Sequence, residues 1–131
     1  MSDFKKGVLR VVKLVPYGKV ISYGQVALYV GIPRAARQVG WTLNQLKEGE
    51  KVPWWRVVNN FGRISIKGSN FSAAQQRDLL IKEGVEVSED LTFEIDKYRF
   101  MPDKNLIKEL GLDQNYLEMI SKHIRYSKYF R

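Results

Sequence analysis

The 131-residue chain reads as a small α/β protein (α+β, mostly helical). The expected architecture is a winged-helix-like helix-turn-helix with a short β-hairpin and a helical C-terminal extension. Three observations predict it. Helical periodicity runs up to Pro16, and two further helical segments follow with a glycine turn between them. Short β-branched runs then flank the turn-forming stretch Asn59-Asn60-Phe61-Gly62. Helical stripes resume after Pro102.

Phe4, Val8, Val11, Val12 and Val15 lie on one face of a helix that Pro16 ends. Pro16-Tyr17-Gly18-Lys19 is a turn. Ser22-Tyr23-Gly24-Gln25 is a capping box, in which a Ser hydroxyl takes the N3 amide and Gln returns the bond. The short helix it opens carries Val26, Ala27 and Val30, and Gly31 closes it. Pro33 suits the first turn of a next helix, from Arg34 to about Leu46, with Ala36, Val39, Gly40 and Leu43 inward. Short helix, glycine turn and a second helix with arginines at its start form the grammar of a helix-turn-helix; an ordinary αα-hairpin has the same pattern.

Lys47 to Lys51 is a polar loop. Val57-Val58 and Arg63-Ile64-Ser65-Ile66 are expected to pair as a β-hairpin, with Gly62 at positive φ. Ser72-Ala73-Ala74-Gln75 is a second capping box, opening a helix through Gln76, Leu79, Leu80 and Glu83 that Gly84 stops. The alternation from Leu91 to Tyr98 suggests a further strand, paired with Val85-Glu86-Val87. Two helices are expected in the tail, one near Lys104–Leu110 and one capped by Asp113. Residues 1–100 thus form one domain and 101–131 an extension.

Composition removes whole classes of function. With no Cys there is no disulfide, thiolate metal site or cysteine nucleophile, and one His cannot build a multi-histidine metal site. No cofactor or metal is expected. No apolar run reaches the roughly 18–20 residues of a membrane span, and the N-terminus lacks a signal-peptide core. The expectation is an intracellular protein, cytoplasmic or nuclear, with no membrane partner.

The net charge of +8 is unevenly placed. Residues 1–47 hold eight basic residues (Lys5, Lys6, Arg10, Lys13, Lys19, Arg34, Arg37 and Lys47) against Asp3, a surplus of seven. The remainder is almost balanced. A basic segment on a balanced protein is the footprint of a polyanion-binding face, although a solubilising surplus has the same sign.

The most informative stretch is Pro53-Trp54-Trp55-Arg56-Val57-Val58-Asn59. Adjacent tryptophans beside an arginine either line something or pack a core with the Arg stem over an indole. Three stretches in order are Pro16 to Ala27, then Gly31-Ile32-Pro33-Arg34-Ala35-Ala36-Arg37-Gln38-Val39-Gly40, then Pro53 to Val58. Together they closely resemble the DNA-binding domain of O6-alkylguanine-DNA alkyltransferases, from about Phe4 to Val87. The repair enzymes carry Pro-Cys-His-Arg at this motif, and their Cys takes the alkyl group. Trp in place of that Cys is the mark of the alkyltransferase-like proteins, most of which keep the His. Here Trp55 replaces the His as well.

The resemblance implies a sensor of O6-alkylguanine that binds the minor groove and flips the damaged nucleotide without alkyl transfer. Its partners would be double-stranded DNA containing O6-alkylguanine and nucleotide excision repair proteins, with the sensor a monomer. The implied DNA-binding residues are Tyr23, Arg34, Arg37 and Gln38. Arg37 matches the arginine finger that fills the gap in the base stack, and Tyr23 matches the Tyr beside the target's 3′ phosphate. Tyr23, Trp54, Trp55 and Lys67 are the implied lesion pocket. Lys67 stands where relatives place an Arg, keeping the charge without the planar fork. Asn59 is expected to make a backbone bond and Arg56 to be a buried structural arginine. Glu83 matches the carboxylate that orients the enzymes' His, a link lost with Trp55.

The chemistry agrees. Alkyl transfer from guanine O6 needs an activated thiolate, whereas an indole N–H only donates a hydrogen bond. Two other readings stay open: a helix-turn-helix regulator that reads sequence, and a scaffold that uses the old pocket for a peptide. In the tail, Tyr116, Met119 and Ile120 form a helical stripe, and Arg125 to Arg131 interleaves aromatics with cations. That pattern suits either a docked helix or further nucleic-acid contact.

Overall fold

The computed structural model describes residues 3–47, 49–64, 72–123 and 129. Helix α1 (Asp3–Leu14) buries Val8, Leu9, Val11 and Val12, the predicted stripe. Helix α2 (Tyr23–Val30) begins with both arms of the capping box: Gln25 N–H donates to the Ser22 hydroxyl at 3.0 Å, and Ser22 N–H donates to Gln25 Oε1 at 3.1 Å. Gly31 ends the helix at φ 99°, left-handed backbone that a Cβ would strain.

Helix α3 (Ala36–Asn44) is shorter than its pattern suggests. Pro33 and Arg34 form a turn instead of the first helical turn, because Ala35 N–H donates back to Ile32 O at 3.0 Å and delays the helix start. Val39 and Leu43 face the core. Leu46 is buried beyond the helix end.

The expected hairpin is not the pairing that forms. β1 (Ile21–Ser22) pairs in parallel with β2 (Val57–Val58), Ile21 opposite Val57 and Ser22 opposite Val58. The turn itself is present, with Gly62 N–H donating to Asn59 O at 3.0 Å and Gly62 at φ 78°. A Cβ on Gly62 would run into the Phe93 carbonyl oxygen, so only glycine fits. Past the turn, Arg63 bridges to Thr92, and Ile64 N–H donates to Leu91 O at 2.9 Å. Ser65 and Ile66 lie outside the described residues. The reason is burial on both sides. Ile21 and Val57 face one core cluster while Val20 and Val58 face the other, and a two-residue strand covered on both faces suits a parallel pair.

The strand expected from Leu91 to Tyr98 is also replaced. Leu91 sits at φ 67°, which breaks an extended run, and Ile95–Tyr98 forms a helical turn, α5, after the single bridge at Thr92. Val85 to Val87 joins no ladder among the described residues. Helix α4 (Ala73–Lys82) is capped by the Ser72 hydroxyl, which accepts from Gln75 N–H at 3.0 Å.

Helices α6 (Lys104–Glu109) and α7 (Gln114–Ser121) are capped by Asp103 and Asp113. Both pack on the main core: Ile107, Ile120 and Tyr129 join the cluster built by α1, α2 and α3. The Tyr116 hydroxyl donates to Leu28 O at 2.7 Å, and Tyr29 Oη donates to Tyr129 O at 2.7 Å. Arg10 of α1 donates to the Glu109 carbonyl. The described part of the tail therefore braces α1 and α2 from behind. No described helix is long and apolar enough to cross a membrane.

Candidate nucleic-acid interface

Helix α3 presents two different faces. Val39 and Leu43 pack inward, while Arg37, Gly40, Trp41 and Asn44, spaced like one outer stripe, line a cleft of about 560 Å³. Its floor is Tyr23 and Gly24 at the start of α2, and its far wall is Asn59, Asn60 and Phe61 from the turn after β2. The Tyr23 ring lies next to Gly40, where an added Cβ would sit 3.9 Å from the ring edge, an ordinary contact distance. Burial raises the Tyr23 phenol above its ordinary pKa.

Arg34, Arg37 and Gln38 are exposed. The ion pairs among the described residues are Lys5–Glu50, Arg56–Glu83 and Arg99–Asp96, so neither Arg34 nor Arg37 is committed to a carboxylate. The far wall is fixed from within. Asn59 Oδ1 accepts from Phe61 N–H at 2.8 Å, the backbone bond expected of Asn59, and Asn60 Oδ1 accepts from Tyr129 Oη at 2.9 Å.

The Pro53-Trp54-Trp55-Arg56 motif folds as a single 3-10 turn over Trp54–Arg56 and lines a separate cleft with Lys13, Lys47 and Lys51. Trp54 is 8% exposed and meets Trp55 edge-on, ring centroids 6.0 Å apart. Trp55 packs between the two core clusters. Its indole N–H donates to Glu83 Oε2 at 2.7 Å. Arg56 forks onto the same carboxylate, with Nε to Oε1 at 2.9 Å and Nη2 to Oε2 at 2.8 Å, and its Nη1 donates to Val15 O at 2.8 Å. Gly18 N–H adds a bond to Glu83 Oε1 at 3.0 Å. Burial pushes the Glu83 carboxyl up, but the bonds from Arg56, Gly18 and Trp55 together hold it below the usual carboxylate range.

Glu83 has therefore kept a partner at position 55. The indole N–H is a donor to Glu83 at position 55, and Arg56 is partly buried, its side chain 14% exposed, rather than fully buried as expected. As a device this hub can hold a loop in place; its Trp55 and Arg56 side chains only donate, and the chain has no thiol.

Of the residues singled out in the sequence, Tyr23 and Arg37 share the α3 cleft, Arg34 and Gln38 are exposed but do not line it, and Trp54 and Trp55 line the other cleft. Lys67 lies outside the described residues. Trp41 and Phe61 were not anticipated. Trp41 stands one helical turn past Arg37 and out of phase with Val39 and Leu43, a signal that helical periodicity does carry.

Comparison with known proteins fits this layout. A family model, the DNA-binding domain of 6-O-methylguanine DNA methyltransferase, matches residues 3–85. The DNA base-flipping protein of Escherichia coli (strain K12) is 44% identical over 98 residues, spanning 75% of this chain and 74% of that protein. Alkyltransferase-like protein 1 of Schizosaccharomyces pombe is 44% identical over 87 residues, 66% of this chain and 81% of that protein. Among solved structures, S. pombe Atl1 in complex with damaged DNA containing O6-carboxymethylguanine superposes with a TM-score of 0.73 at 38% identity, covering 78% of this chain and 98% of that one. Mycobacterium tuberculosis OGT in complex with DNA gives a TM-score of 0.57 at 32% identity, over 63% of this chain and 50% of that one. The chain belongs to the family of the 6-O-methylguanine DNA methyltransferase DNA-binding domain.

Proposed function

We propose that this protein is a DNA-damage sensor. It binds O6-alkylguanine in duplex DNA from the minor groove, turns the damaged nucleotide out of the stack, transfers no alkyl group, and flags the site for nucleotide excision repair. The observation that carries this is Pro53-Trp54-Trp55-Arg56 in a chain with no cysteine. Trp54 stands at the alkyl-acceptor position. Relatives named for base flipping, and a matched structure holding O6-carboxymethylguanine DNA, support the same reading.

Arg37 enters the base stack behind the departing nucleotide, offsetting an unstacking cost of a few kcal/mol. Tyr23 rotates the nucleotide beside its 3′ phosphate. Arg34 and Gln38 contact the backbone on either side, within the basic segment of residues 1–47. Tyr23, Trp54, Trp55 and Lys67 are the residues assigned to the pocket that takes the lesion. Residues 1–100 are the DNA-binding domain and 101–131 an extension whose described part braces it, and the protein works as an intracellular monomer with no membrane partner. Excision-repair proteins act on the complex it leaves.

A titration of duplexes with and without O6-methylguanine, at two salt concentrations, tests this reading. Tighter binding of the damaged duplex, with the protein's mass unchanged afterwards, is the expected result. Equal affinity for both duplexes together with preference for one sequence would make it a regulator. Absence of salt-dependent binding would make it a peptide scaffold.

A further inference from the structure

Trp41 and Phe61 are large apolar side chains left in solvent, 57% and 87% exposed. Both line one cleft, Trp41 from α3 and Phe61 from the turn after β2, together with Tyr23 and Arg37. Neither is needed by the core: α3 buries Val39 and Leu43 on its other side, and Phe61 sits at the tip of a turn held by Asn59 and Gly62. Exposed aromatics lining one cleft with an arginine that no described carboxylate pairs make a surface suited to flat, uncharged partners in an anionic chain. Nucleobases freed from pairing fit that description, because each has a π-face and is tethered to phosphate.

We propose that Trp41 and Phe61 form an aromatic clamp that stacks on the bases next to the extruded nucleotide, one wall engaging each strand. The proposal rests on the flipping reading above and deepens it. Arg37 opens the stack, and the clamp keeps it open. Trp41 lies at i+4 from Arg37, one helical turn along the same face, so the two side chains enter the groove side by side. The contact is made with π-faces and not with phosphates, so it adds affinity that salt does not remove. It also applies to any duplex with unpaired bases at that position, whatever the alkyl group.

Two measurements on the full chain test the clamp. First, Kd for an O6-methylguanine duplex is measured at two salt concentrations for wild type, Trp41→Ala and Phe61→Ala. Loss of one stacked base lowers affinity by roughly tenfold per variant, with the salt slope unchanged. Second, acrylamide quenching follows Trp41, the exposed one of three tryptophans, since Trp54 is 8% exposed and Trp55 half-buried. Saturating DNA should shield it. Unchanged affinity in both variants, a loss accompanied by a smaller salt slope, or undiminished quenching at saturation each overturns the clamp. If wild type binds both duplexes equally while both variants still lose affinity with the salt slope unchanged, lesion preference fails and the clamp stands as a device for any flipped nucleotide.

Discussion

The outer face of α3 and the hub at Glu83 lie in one small protein and follow opposite rules. At Glu83 both carboxylate oxygens are taken, by Arg56, Trp55 and Gly18, and the Arg56 and Glu83 side chains are 14% and 6% exposed. On α3, Arg37, Gln38 and Trp41 are solvated, and no described carboxylate pairs with Arg37. A buried charge must have partners or the fold loses stability; an exposed cation without one is available to a ligand. On the proposed reading, fold maintenance falls to the hub and DNA engagement to α3. If the proposed reading holds, the hub's hydrogen bonds also give Trp55 and Glu83 a structural reason to persist without alkyl transfer.

The sharpest way to break this contrast is Glu83→Ala. It strands the Arg56 guanidinium and the Trp55 N–H in a buried place, and should lower unfolding stability by about 3–5 kcal/mol in a denaturant titration. A loss under about 1 kcal/mol would mean that the hub is not structural. Arg37→Ala is the mirror experiment. It should leave the melting temperature unchanged while lesion affinity falls roughly tenfold to a hundredfold, the worth of a few kcal/mol of base-stack filling.

Acid should strip the hub selectively. The Glu83 carboxyl is held below its usual value of 4.5, so its contribution is present above that pH and is lost as pH falls through the folded-state value. Stability curves recorded from pH 6 downward should therefore show an acid limb that Glu83→Gln flattens. The smallest effect is expected at Arg34, exposed in the turn before α3. Arg34→Ala should reduce the slope of log affinity against log salt by about one and weaken damaged and undamaged duplexes alike.

Much of this was legible in the sequence wherever the determinants are local. The Ser22–Gln25 capping box, the Gly31 stop and the Asp113 cap were readable because each involves residues a few positions apart. The parallel pairing of Ile21–Ser22 with Val57–Val58 was not, because a two-residue strand has too little pattern to name a distant partner. The Leu91–Tyr98 alternation misled for a related reason: period-two hydrophobicity over so short a run yields to one residue at positive φ, Leu91. At the site, Arg37 and Trp54 stood out through the family resemblance. The renewed Trp55–Glu83 bond did not, since replacing an imidazole by an indole changes the chemistry while preserving one N–H donor.

The central claim is that the damaged nucleotide leaves the stack and that Arg37 takes its place. Its most direct test is the emission of 2-aminopurine placed beside O6-methylguanine in a duplex, which brightens when it loses a stacking neighbour. Wild-type protein at saturation should raise that emission, and Arg37→Ala, at concentrations that still saturate the duplex, should raise it far less. Full occupancy by the wild type with no change in emission would contradict the account.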